Sequence, residues 1–292
     1  MGAEVKRVQG PMRSRRTFGR LVRRHWSTAV AYLVVILVCV FVLIPILAGF
    51  VTAFKPGPIQ IASPPVWLFQ PTADNFERVL IAKKGLLNLR NSIIVTVLSI
   101  SVSLLVGVPA AYSLARLRMK GRQQLLGWII SLRMIPPVVV ALPFFVLIDR
   151  MKLYDTYVGL SLTYLSFSIP MIIWIMRGYF ARTPHLEESA MVDGCSRLQA
   201  VVRVLLPVVM PGLAATALLV AMVAWNEYML ALILTGRNTA TLPIHAVTYV
   251  TRVRVEWGEL FAMNLIIAAP VLLLAATLHR HLVRGLTFGM VE

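Results

Sequence analysis

The chain is 292 residues long, 58% hydrophobic and only 14% charged, with a mean hydropathy of +0.78. Soluble domains are about 45–50% apolar and about 25% charged. This composition excludes a disordered chain, argues against a soluble one, and leaves a polytopic all-α membrane protein. The net charge of +17 would suggest nucleic acid in a soluble domain. Here the basic residues lie mostly between apolar runs, where they set topology and meet lipid headgroups. Cys39 sits in an apolar run and Cys195 in a polar loop, so no disulfide framework is expected.

A basic arm, residues 1–27, opens the chain, and residues 28–292 form the membrane domain. Crossing about 30 Å of hydrocarbon takes roughly 20 helical residues. Six runs qualify: Thr28–Phe54, Asn91–Ala115, Gln124–Ile148, Val158–Met176, Leu205–Thr235 and Leu260–Leu278. The first is longer than the roughly 7–15 residues of a signal peptide's apolar region and reads as a retained helix. The outer loop 55–90 is rich in proline, from Pro56 to Pro71, which prevents a long helix there. Its Trp67 and Phe69 suit a membrane interface. With the N-terminus inside, the inner segments carry 18 Lys+Arg and the outer ones 10. That excess places both termini in the cytoplasm, including the tail 280–292.

The inner loop 181–207 is patterned as two short helices. Thr183 can cap the first and Pro184 fits its first position. Gly194 supplies a left-handed stop. Ser196 and Gln199 form a capping box that starts a second helix running through Pro207 into the fifth span. Leu186, Ala190 and Met191 give the first helix an apolar side, while Glu187, Glu188 and Asp193 can pair with a basic rim. Two readings stay open on physical grounds: a hairpin that docks into a partner, and one that packs on its own bundle.

Glu188-Ser189-Ala190, three residues, Gly194, nine residues, then Val204, Leu206 and Pro207 resemble the EAA motif of ABC importer permeases. Ser189 replaces an alanine of that pattern and Val204 an isoleucine. Further stretches are similar to the maltose-type carbohydrate permeases, second-permease type. These are Pro71-Thr-Ala-Asp-Asn75-Phe76, Ala111–Arg116, Trp225-Asn226-Glu227-Tyr228 and the closing Arg284-Gly-Leu-Thr. The likeness runs from about residue 28 to the end and leaves the basic arm aside.

The resemblance implies a non-catalytic subunit of a bacterial plasma-membrane importer. Such a subunit pairs with a second homologous permease and two ATPase subunits that hold ATP and Mg, and an extracytoplasmic binding protein delivers the sugar, glycoside or polyol. No cofactor is expected on this chain, and it has no G-x-x-x-x-G-K-[ST] phosphate loop. The hairpin is then the coupling element, with Glu187, Glu188, Ala190, Asp193, Gly194, Leu206 and Pro207 as its residues.

Polar groups at membrane depth face protein or water, because exposing them to lipid is costly. Glu227 lies within the predicted fifth span beside Trp225, Asn226 and Tyr228, and Arg133 within the third before Pro136-Pro137. With Asn264 in the sixth, these are candidates to line a path, against a buried structural pair or a snorkelling arginine. The five histidines show no metal-ligand spacing. The alternative function is a secondary, ion-coupled transporter. It is disfavoured by a single carboxylate in the spans and by the absence of an internal repeat.

Overall fold

The computed structural model of the chain describes the backbone of residues 15–251 and 254–287, and side chains for residue 28 and residues 30–251 and 254–276. Residues 1–14 of the basic arm and residues 288–292 of the tail lie outside the described residues. The chain divides into two compact units, residues 1–52 and 53–292.

The described residues of the first unit are helical. Helix α1, Arg15–Ala53, contains a 24-residue span, Val30–Ala53, apolar enough to cross a bilayer. The second unit starts with a proline-broken segment and a short helix α2, Asp74–Glu77, continued by a π-helical turn to Ala82. Then come α3 (Gly85–Arg116), α4 (Arg122–Ser131), α5 (Pro137–Arg150) and α6 (Tyr157–Arg182). The hairpin helices α7 (Leu186–Val192) and α8 (Arg197–Ala200) follow, then a π-helical turn and α9 (Leu206–Trp225). Helices α10 (Met229–Leu234), α11 (Leu242–Val247) and α12 (Trp257–Thr287) close the chain.

Among the described residues, five helical segments are long and apolar enough to span, and the α4–α5 pair makes a sixth when taken together. That pair corrects the predicted third span. Gln124–Ile148 is not one helix but two, bent by 95°. Pro136 has no N–H to continue the ladder and its ring excludes helical backbone before it, so Ile135 is extended. Arg133 therefore sits, exposed, on a short 3₁₀ turn at the corner of the bent pair and not on a continuous helix. The predicted fifth span is corrected too. Its helix stops at Trp225, and the chain breaks over Asn226–Tyr228 before α10.

Helices α3 and α6 pack together most extensively and α9 closes on both. Close approach depends on Gly107, where an added Cβ would lie 2.8 Å from Ile172 Cγ2. Small residues at such a crossing let backbones meet where lipid supplies no hydrophobic drive. Buried Ser92, Thr96, Ser99 and Ser103 of α3 and Ser161, Thr163 and Ser168 of α6 belong to the same interior. Thr163 and Ser99 return their hydroxyls to carbonyls of their own helix at 2.7 and 3.1 Å.

Candidate functional site

The hairpin at one end of the α3–α6 pair forms as its sequence dictates at the turn. Gly194 has φ +92°, its N–H donates to the Met191 carbonyl at 3.1 Å, and the Cys195 N–H donates to that of Ala190 at 3.0 Å. These two bonds make a Schellman motif, which favours glycine at the left-handed position. The predicted capping box is present: the Gln199 N–H donates to Ser196 Oγ at 3.3 Å, and the Ser196 N–H to Gln199 Oε1 at 2.9 Å. Thr183 does not cap α7 as expected. It ends α6 instead, donating its hydroxyl to the Tyr179 carbonyl at 2.9 Å, and α7 begins two residues later than predicted, at Leu186.

The two faces of the hairpin separate cleanly. Ala190, Ala200 and Leu205 are buried, Leu205 in a core that includes Tyr112, Met176, Phe180 and Val209. Leu206 is half-buried and Pro207 exposed on the first turn of α9. Outward stand Glu188, Asp193 and Gly194, together with Val192 and Leu198, which are 88% and 74% exposed. Those two apolar side chains at the turn were not singled out in the sequence. Glu187 corrects the expectation of a basic rim met by three acids. It points inward, 3% exposed, and pairs with Arg116 at 3.0 Å. Glu188 pairs locally with His185 at 3.0 Å.

The candidate path residues diverge. The Trp225 indole donates to the Ile267 carbonyl of α12 at 2.9 Å. Glu227 accepts the N–H groups of Leu230 and Ala231 at 3.0 and 3.1 Å, one on each oxygen, and so caps α10. Tyr164, fully buried in α6, feels the same carboxylate. Asn226 and Asn264 are exposed and Tyr228 half-buried. Trp225 and Tyr228 do not share one helical face, because no helix joins them.

The opposite end of α3 carries a polar frame that the sequence did not reveal. Asn91 donates to the carbonyls of Asn238 and Ala240 at 2.9 and 3.0 Å, and Ser92 accepts the Leu242 N–H at 2.8 Å. Asp155 collects the N–H groups of Gly236, Asn238 and Thr239 and the Thr239 hydroxyl. Burial opposes its charge, but those donors outweigh it and hold its carboxyl below the usual value. Asn75, from the stretch singled out at Pro71–Phe76, donates to the carbonyls of Ala53 and Lys55 at 2.8 and 2.9 Å.

Nearby, Lys83 bridges Glu256 and Glu259 and lies 4.8 Å over the Tyr249 ring. The bond from Lys83 holds the Glu256 carboxyl down to about 2. Burial alone would lower Lys83, yet the two glutamates raise it. A carboxylate with a lowered folded pKa stabilises the fold above its unfolded value and loses that contribution as pH falls toward the folded one. The cluster should thus hold at neutral pH and release as pH drops from about 4.5 toward 2. The midpoint of thermal unfolding should fall over that window in the wild type, and by visibly less in Glu256→Gln. Equal slopes would show that the cluster does not hold this end of the chain.

Helix α3 has 32 residues, roughly 48 Å at about 1.5 Å per residue. Its first turns meet the 238–242 segment and its last residue meets the hairpin. The hairpin and the polar frame therefore stand at opposite ends of the membrane-crossing helices.

Comparison with known proteins places this architecture. Residues 103–288 match the family described as the binding-protein-dependent transport system inner membrane component. The diacetylchitobiose uptake system permease of Streptomyces coelicolor is 34% identical over 95% of this chain and 99% of its own. The trehalose/maltose transport system permease of Thermococcus litoralis is 31% identical over 88% of this chain and 94% of its own. A chain from a bacterial ABC transporter crystal structure, involved in import of the acidic polysaccharide alginate, shares the fold with a TM-score of 0.72. It is 23% identical and covers 93% of this chain and 99% of that one. This chain belongs to the family of binding-protein-dependent transport system inner membrane components. It is a multi-pass membrane protein.

Proposed function

We propose that this permease carries a carbohydrate (a sugar, glycoside or polyol) handed over by an extracytoplasmic binding protein. It works beside a second homologous permease, and two separate ATPase subunits hydrolyse ATP. The observation that carries the reading is the outward face of the hairpin. Val192 and Leu198 are exposed beside Glu188 and Asp193, an apolar tip with an acidic edge. Such a patch on a short, rigidly capped turn suits burial in a cleft on a partner. Glu188, Ala190, Asp193, Gly194, Leu206 and Pro207 shape that coupling surface, and Glu187 supports it from behind. Relatives named for diacetylchitobiose and for trehalose or maltose support the substrate class.

For the path, the exposed Asn226, Asn264 and Arg133 and the half-buried Tyr228 are the candidates to meet substrate, Asn226 through its Oδ1, since its amide donates to the Met222 carbonyl at 2.8 Å. Trp225 and Glu227 are committed to backbone groups. Family membership disfavours the ion-coupled alternative, since that class needs no coupling hairpin. The test is to purify the chain with its partners and assay ATP-dependent uptake across candidate sugars. Val192→Glu with Leu198→Glu should release the ATPase subunits. If that double variant still copurifies with them and transports normally, the tip is not the docking surface.

The charge asymmetry and the separation of the hairpin from the polar frame support both termini inside. Reporter fusions after residues 70 and 190 should report opposite sides, with 190 cytoplasmic. The same side for both would overturn this topology.

A further inference from the structure

The ion pair behind the hairpin has no part in the docking surface, yet it joins three elements. Arg116 and Glu187 side chains are 4% and 3% exposed, with Nε 3.0 Å from Oε1. The same guanidinium donates to the carbonyls of Thr183 and Pro184 at 2.6 and 3.1 Å. These two residues link α6 to α7. One turn earlier on α3, Tyr112 meets Phe180 edge-on at 5.7 Å and fixes α3 against α6. From the geometry we propose that Arg116 is a positioning residue that transmits displacement of the coupling hairpin into α3, through Glu187 and the 183–184 carbonyls. The proposal rests on the reading of the hairpin as the coupling element.

Three observations favour transmission over mere anchoring. The contact is made by a planar fork that holds a carboxylate and two carbonyls at once, which a lysine ammonium cannot reproduce. The helix it terminates starts at Gly85 and continues through Pro109, which gives movement at Arg116 a continuous route to Asn88 and Asn91, which grip the 238–240 carbonyls. And the pair is incompletely satisfied. Glu187 Oε2 is buried without a partner, and the Nε contact is an ion pair lacking hydrogen-bond alignment. A small shift of α7 would let the guanidinium engage both oxygens, so a second arrangement is within reach. A bistable contact of this kind can pass a change between sites, whereas a saturated one only holds.

The experiment uses the full complex with both permeases, the ATPase subunits and the binding protein, in lipid. Arg116→Lys, Glu187→Gln and the exchange Arg116→Glu with Glu187→Arg are compared for assembly, ATP hydrolysis with and without binding protein, and uptake. The two single variants should assemble and keep hydrolysis without binding protein within about twofold. Stimulation by binding protein and uptake should both fall by roughly tenfold, inside the usual range for coupling between sites. The exchange should restore part of the stimulation. Unchanged stimulation and uptake in both single variants would overturn the proposal. So would loss of assembly in all three, which would make the pair a folding element. Gly194→Pro serves as the control. If it transports normally, the coupling reading itself fails. If it loses transport while the pair variants do not, only the role of Arg116 fails.

Discussion

Gly194→Pro is expected to lower transport by about a hundredfold while leaving the protein in the membrane. The residue holds φ +92° and gives its N–H to Met191. Proline cannot supply either, since its ring fixes φ near −65° and its nitrogen carries no hydrogen. A penalty of about 3 kcal/mol for a misplaced proline corresponds to roughly a hundredfold in any equilibrium that needs the native turn. The spans do not depend on this turn, so insertion should survive. An added Cβ at Gly194 would meet nothing within 4 Å. Gly194→Ala therefore reports backbone strain alone, about 1–2 kcal/mol for a left-handed residue, and should be milder.

Asp193→Lys complements this test. Asp193 is exposed at the C-terminal end of α7, where a cation suits the helix dipole better than an anion. The substitution should not weaken the hairpin. A strong loss of uptake would then report the docking surface and not the fold. Uptake at the wild-type rate in both Gly194→Pro and Asp193→Lys would remove the hairpin from the mechanism.

The hairpin was legible because its determinants are local. A left-handed glycine, a capping box and their spacing act within a few residues, so the sequence predicts the turn and the second helix start. What could not be read there is which way each acid faces. Glu187 and Glu188 are adjacent and chemically equal, and only the position of Arg116, some seventy residues earlier, turns one of them inward. Arg116 itself lay in a stretch singled out for its resemblance, but a basic residue at a span end reads first as a topology signal. Asp155 and Lys83 were hidden for the same reason. Their partners are backbone N–H groups and acids that come from 81 to 176 residues away. Apolar length located the spans, but it does not see local backbone chemistry. Pro136-Pro137 bends the third predicted span by 95°. The break after Trp225 carries no proline or glycine at all.

That break bears on Glu227, for which Glu227→Leu is expected to cost much more than Glu227→Gln. Read as part of a continuous helix, Glu227 would offer its charge to a path. The structure instead shows each oxygen on a backbone N–H at the start of α10, Leu230 and Ala231. Leu230 and Ala231 are buried, in the same core as Ala141, Ile148 and Tyr164, so water does not readily replace the lost acceptor. Leaving a buried donor unsatisfied costs about 1–3 kcal/mol. Leucine orphans two such groups. Glutamine keeps one acceptor oxygen and turns an NH₂ toward the other donor, so it should lose about one such contribution. The expected order of thermal stability of the purified complex is wild type, then glutamine, then leucine, with uptake following the same order. A residue that acts only by lining the path predicts something different: equal stability in all three, with the change confined to uptake or to its apparent affinity for sugar. A leucine variant that is as stable as wild type but transports poorly would thus return Glu227 to the path. If it is both stable and active, Glu227 serves neither role. The capping geometry makes the first order the expected one, because a carboxylate already engaged by two backbone donors has little left to offer a passing hydroxyl.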